Sequence, residues 1–144
     1  PVFIPTDWEP ADKRWGPERC RYAYAWNSLF LAGLRLQFGS DAPVEPINPI
    51  YGIHAAVTRQ TLTGEPQGGW FPEQQLSLED SISGFTAAAA WSTRRENKLG
   101  SIEPGKWADL TIYGRDLFNL PPESWPDVEI EMTVVSGEVA YHKA

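Results

Sequence analysis

Leu34-Arg35-Leu36-Gln37-Phe38-Gly39-Ser40-Asp41-Ala42-Pro43 reads as a short strand that ends in a tight turn. Leu34, Leu36 and Phe38 alternate with Arg35 and Gln37, which is the period of a strand. Ser40-Asp41-Ala42-Pro43 then supplies turn formers at its C-terminal end. Asn48-Pro49 opens a helix, with Asn as N-cap and Pro in the first turn, and Ile50, Ile53 and Val57 mark one face of it to about residue 60. Upstream, Gly16-Pro17-Glu18 starts another helix. Along it Tyr22, Trp26, Leu29 and Phe30 recur at helical spacing, and Gly33 is a natural stop. One strand therefore stands between two helices. A lone strand cannot satisfy its own backbone groups, so residues 34–39 call for a sheet that their neighbours in sequence do not supply.

The remaining chain does not fill that gap. Residues 63–75 form a Gly- and Pro-rich loop. Ser77 caps a third helix, with Asp80 three residues on in the manner of a capping box. Leu78, Ile82, Phe85 and Ala89 form its apolar stripe, and the alanines at 87–90 allow close packing. Residues 97–106 are rich in turn formers, 108–113 read as a strand, and 115–127 form a long loop with three prolines. Residues 130–135 and 138–142 are two strands around Ser136-Gly137, a hairpin signal. Their alternation suits a sheet exposed on one face, not the doubly buried parallel sheet that 34–39 would need. A missing parallel sheet is the simpler expectation.

Composition narrows the function. The chain has 144 residues, 42% of them hydrophobic, which suits one compact domain with a real core. Its seven tryptophans should bury much of that core. The net charge of −7 and scattered acids argue against nucleic acid, whose phosphates need a basic surface. No apolar run reaches the length of a membrane helix, and no secretory leader is visible. Cys20 is the only cysteine, which excludes an internal disulfide and fits a cytoplasmic location. The chain lacks an initiator Met, and Pro1-Val2-Phe3-Ile4-Pro5 reads like the interior of a fold, so residues upstream are expected.

Asp41 is the best candidate for chemistry. It lies just past a strand's C-terminal end, where α/β folds and barrels place catalytic groups. A carboxylate there can ligate a metal or take a proton from a metal-bound water. The plainer alternative is a turn residue whose side chain caps backbone groups. His54 and His142, the only histidines, are far apart in sequence and share no ligand motif, so structural or surface roles are expected of both. Cys20, in a helical stretch, reads as a buried inert thiol. Arg19 is set down as solvent-facing, with an ion pair or an anion contact as the alternative. Gly68-Gly69-Trp70 reads as part of a lid or as a plain turn. No Gly-x-Ser-x-Gly motif, phosphate-cradling loop or paired-Cys motif is present.

Four stretches, taken in order, resemble the amidohydrolase superfamily, in particular its YtcJ-like branch related to N-substituted formamide deformylase. The first is Gly16-Pro17-Glu18-Arg19 with Tyr24-Ala25-Trp26 and Ser28-Leu29. The second is Phe38-Gly39-Ser40-Asp41-Ala42-Pro43-Val44, with Asn48-Pro49 and Gly52-Ile53-His54-Ala55-Ala56-Val57-Thr58-Arg59. The third is Pro72-Glu73-Gln74-Gln75-Leu76-Ser77-Leu78-Glu79-Asp80, leading to Phe85-Thr86 and Ala88-Ala89. The fourth runs from Gly100-Ser101-Ile102-Glu103-Pro104-Gly105-Lys106-Trp107 through Ala108-Asp109-Leu110, and Val134-Val135-Ser136-Gly137-Glu138-Val139 completes it.

The resemblance implies an α/β fold: the C-terminal portion of a metal-dependent (β/α)8 barrel plus part of a small β-sandwich domain. Residues 1–97 would be the barrel segment, with 17–34 the seventh helix, 34–39 the eighth strand, 48–60 the eighth helix and 78–91 an extra helix. Residues 98–144 would be the last strands of the small domain. It also implies hydrolysis of C–N bonds in small amide-type substrates by a water activated on a divalent metal, commonly zinc. Asp41 matches the family's metal ligand or general base after the eighth strand. The other metal ligands have no counterpart here, so the chain alone is expected to be incomplete. It should need a missing N-terminal barrel segment or associate with itself. Glu73 and Arg19 would only shape the rim. The alternative is a self-standing, non-enzymatic binding or assembly domain built from barrel parts.

Overall fold

A computed structural model describes residues 1–144. Its centre is a helix that the sequence caps at both ends. Asn48 is extended, and its side chain accepts the Ile50 N–H at 3.1 Å. Pro49 fits the first turn, and Arg59 in the left-handed region ends the helix at Thr58. This helix is numbered α4 (Pro49–Thr58). Six of its residues are buried, among them Ile50, Ile53 and Ala56, so it is an interior helix. Ile50 and Ile53 join Leu117, Trp125 and Val128 in one core cluster. Ala56 joins Ile4, Cys20, Trp26, Trp70 and Leu76 in another.

Three helices precede it: α1 (Ile4–Trp15), α2 (Pro17–Cys20) and α3 (Trp26–Leu31). The single helix expected between Pro17 and Gly33 is thus broken. Tyr24 takes a positive φ of 51°, its carbonyl accepts a hydrogen bond from Arg59 Nη1 at 2.7 Å, and its hydroxyl donates to Asp7 at 2.5 Å. These long-range bonds override the local helical period. The stop at Gly33 holds. Gly33 has φ 83°, its N–H bonds to Phe30 and that of Leu34 to Leu29, which together form a Schellman cap.

Residues 34–39 form no strand and join no sheet, contrary to the strand expected there. Beyond the Gly33 cap its one backbone hydrogen bond runs from the Phe38 N–H to the Gly84 carbonyl at 2.9 Å, while side chains hold it further: Arg35 lies over Trp91, and Phe38 packs on Trp26 and Phe85. Beyond α4 come α5 (Leu78–Phe85) and α6 (Ala87–Ser92), where one helix to about residue 91 is expected. Ser77 caps α5 in both directions, accepting the Asp80 N–H at 3.0 Å and donating to the Asp80 carboxylate at 2.7 Å. The break falls at Thr86. Gly100 crosses there so closely that a Cβ would lie 2.9 Å from Ala87 Cα. Leu78, Ile82 and Phe85 pack on the second core cluster, as their spacing implies, while Ala89 is only half-buried.

The sheet is antiparallel, in the order β1 (Leu110–Tyr113), β2 (Ile130–Val135) and β3 (Glu138–His142). Leu110 pairs with Val134, and Met132 with His142. Ser136 and Gly137 both have positive φ, 52° and 84°, the geometry of a tight hairpin turn of right-handed twist. Between β1 and β2 the proline-rich stretch winds into 3-10 turns. There Trp125 is buried, and its indole N–H is shared between the Leu117 and Leu120 carbonyls at 3.1 Å each. Through this Trp125 cluster the sheet unit is anchored to α4. No helix is long and apolar enough to cross a membrane.

Candidate functional site

Asp41 opens the turn between residues 34–39 and α4. Its φ is 55°, a conformation that short polar residues tolerate better than others, and its carbonyl accepts the Val44 N–H at 2.9 Å to close the turn. The residue is exposed. Its backbone makes the turn, but its carboxylate enters none of the four ion pairs, which all involve Lys13, Lys106 or Lys143. Side-chain capping of the turn, the plainer reading of Ser-Asp-Ala-Pro, is not what holds it. Exposed Val44 and Ile47 flank the turn, 66% and 81% accessible.

The other candidates are dispersed. His54 is buried on α4, with Nδ1 3.4 Å from the Thr58 hydroxyl. Burial pushes its pKa below the ordinary histidine value, more than the charge of Glu123 raises it. It lines a cleft of about 330 Å3 with Thr58, Gln60, Gln75 and Glu123, which does not reach Asp41. His142 is exposed on β3. Cys20 is fully buried, and burial followed by the Asp12 carboxylate pushes its thiol pKa up, so it is the inert thiol expected. Arg19 is exposed on α2. Trp70 is no mobile lid: it is buried, and its indole N–H donates to Asp12 at 3.0 Å.

No three His, Cys, Asp or Glu side chains converge anywhere in the chain as a metal would require. A hydrolytic zinc takes three protein ligands or more. Asp41 alone therefore does not fit such an ion, and no step through a metal is derived for the 144 residues by themselves.

Two buried polar residues escape a reading of the sequence. Arg59 is fully buried between Trp26 and Trp70, 4.9 and 5.4 Å from their ring centroids. It donates from Nε to the Trp70 carbonyl at 2.6 Å and from Nη1 to that of Tyr24 at 2.7 Å, while Nη2 has no partner. Burial brings its pKa down to about 10, against the smaller opposing charge of Glu73, so it stays cationic at neutral pH. Gln74 is buried as well and bonds both the backbone and the hydroxyl of Ser28, at 3.0 and 2.7 Å. In sequence Arg59 looks like any base at a helix C-terminus. Its carbonyl partners lie 35 and 11 residues away, and nothing local announces them.

Comparison with known proteins agrees with the motif order. YtcJ of Bacillus subtilis, an amidohydrolase by its name, is 33% identical over the whole chain, which spans 27% of its length. N-substituted formamide deformylase of Arthrobacter pascens is 28% identical over 81% of the chain, which spans 21% of that enzyme. A metal-dependent hydrolase of Pyrococcus horikoshii, known from its crystal structure, superposes with a TM-score of 0.61 at 30% identity, covering 72% of this chain and 21% of its own. The chain thus spans about a quarter of the length of the relatives it matches. A model of the amidohydrolase family matches residues 1–141, and on that near-complete match the chain belongs to the amidohydrolase family.

Proposed function

We propose that this chain is the C-terminal part of a metal-dependent amidohydrolase that splits C–N bonds in small amide-type substrates. In this reading residues 1–97 complete a (β/α)8 barrel and 98–144 complete a small β domain. The intact enzyme holds a divalent metal, with zinc favoured. Asp41 serves as a metal ligand or as the base that takes a proton from the attacking water, and the isolated chain is inactive.

One observation carries this reading. Within a chain of the amidohydrolase family, Asp41 stands at the start of a turn, exposed, with a carboxylate that no ion pair engages. A side chain so placed is available to act on something outside the chain. The remaining donors that a metal needs would come from the rest of the protein, as the share of YtcJ covered allows. The test is Asp41→Asn in the intact hydrolase, with an N-substituted formamide as probe substrate. Loss of turnover with retained fold is expected; wild-type turnover would remove Asp41 from the mechanism.

A second reading, a self-standing binding or assembly domain, is favoured by the two core clusters that the chain fills unaided. Sedimentation of the isolated chain separates the two. A clean monomer supports self-sufficiency, whereas heterogeneous association supports a barrel piece with uncovered faces.

A further inference from the structure

The segment entering the Asp41 turn is held at Phe38 by two consecutive residues of α5, Gly84 and Phe85. The carbonyl of Gly84 accepts the Phe38 N–H, and the Phe38 ring lies against Gly84 so closely that a Cβ there would sit 2.7 Å from Phe38 Cε2. The next residue, Phe85, sends its ring onto Gly52 of α4, where a Cβ would sit 2.6 Å from Phe85 Cζ. The two rings meet each other with centroids 5.7 Å apart, and Phe38 also packs on Trp26 at 5.8 Å.

Neither glycine is needed for a positive φ, and both lie inside helices. Glycine weakens a helix interior relative to alanine. Two helical glycines, each filled by an aromatic ring, therefore mark close approach as the requirement. One ring belongs to the segment entering the Asp41 turn, and the other closes on the helix leaving it.

We propose that Phe38 on Gly84 and Phe85 on Gly52 form a clamp that fixes the Asp41 carboxylate relative to α4, which makes these four residues positioning residues for the reaction. This rests on the reading of Asp41 as a reacting or ligating carboxylate. The clamp acts through backbone placement, since none of the four carries a group that could transfer a proton or bind a metal.

The test uses Gly84→Ala, Phe38→Leu and their combination. In the intact hydrolase, hydrogen exchange of the backbone around Phe38 is followed by mass spectrometry. Gly84→Ala should speed it by about tenfold or more while the amides of α4 keep their protection. Adding Phe38→Leu, which makes room for the new methyl, should restore part of the protection. In the intact hydrolase, with an N-substituted formamide as probe, Gly84→Ala should lower kcat by about tenfold to a hundredfold with KM nearly unchanged. The double variant should recover much of that loss. Phe38→Leu alone keeps a smaller apolar side chain, so it tests the clamp even where Gly84→Ala fails to fold; its kcat should fall. Unchanged Phe38 exchange and wild-type kcat in these variants would overturn the clamp. Full activity of Asp41→Asn would instead overturn the reading of Asp41, and with it the purpose assigned here, even where the exchange data respond.

Discussion

At φ 55°, Asp41 tolerates some replacements and not others. Asn adopts this conformation about as readily as Asp, whereas Ala does so at a cost. Asp41→Asn should thus leave the stability of the chain within about 0.5 kcal/mol, because the side chain is exposed. In the intact hydrolase the same change should cost about 10² to 10⁴ in kcat, the range for a lost general acid or base. Urea unfolding and steady-state kinetics check the two halves. Arg59 is the opposite case. Removing it as Arg59→Ala leaves the Trp70 carbonyl without a donor, takes one of two donors from the Tyr24 carbonyl and opens a void between two indoles. A loss of about 2–4 kcal/mol in urea unfolding is expected. Arg59→Lys should recover only part of it, because a lysine cannot reproduce the planar fork. His54 sets a pH dependence. Its folded pKa lies below the ordinary value of 6.5, so the folded state binds fewer protons than the unfolded state just below that pH. Stability should be full above about pH 6.5 and fall as pH drops towards the folded pKa. The nearby Glu123 charge moderates this, and His54→Gln should flatten the difference in urea midpoint between about pH 7 and pH 5.

At the scale of elements, what can be read in the sequence depends on how local its cause is. Asn48-Pro49, Ser77 with Asp80, Gly33, and Ser136-Gly137 each announce a cap or turn within a few residues, and each stands where its chemistry puts it. The hairpin strands fall at 130–135 and 138–142 as their alternation requires. Broken helices are another matter. Nothing between Pro17 and Gly33 reveals that Arg59 and Asp7 will hold Tyr24 out of helical geometry. Likewise nothing near Thr86 reveals that Gly100 will cross it. α1 has no local announcement either: proline ordinarily interrupts a helix, yet Pro5 fits the first turn, and around Pro10 the residues Ile4, Trp8 and Ala11 pack on the core. Ser77→Ala should cost about 1 kcal/mol, since it removes the acceptor for the Asp80 N–H. The measurement is the urea midpoint of the isolated chain.

At the scale of the whole molecule, the strand reading of 34–39 and the missing-sheet argument belong together. The alternation is real, but a ladder needs a neighbour, and the segment has only a single backbone bond to α5. Apolar side chains stand uncovered along this stretch: Leu31 before the segment, Leu34 at its start, and Val44 and Ile47 after it. The candidate site shares this condition. Asp41 is proposed from its motif alone, since no three His, Cys, Asp or Glu side chains of the chain come together as a site. An isolated chain with these faces open should self-associate at tens of micromolar protein, and replacing Leu34 and Ile47 by Ser should shift sedimentation towards monomer. Asp41 is thereby one half of a proposition whose other half is a set of ligands supplied from outside these residues. Zinc titration of the isolated chain by calorimetry, paired with a turnover assay on an N-substituted formamide, tests this most directly. No stoichiometric tight zinc and no turnover are expected. One equivalent of tightly bound zinc, accompanied by hydrolysis that Asp41→Asn abolishes, would show that the 144 residues build a complete site and would contradict the account.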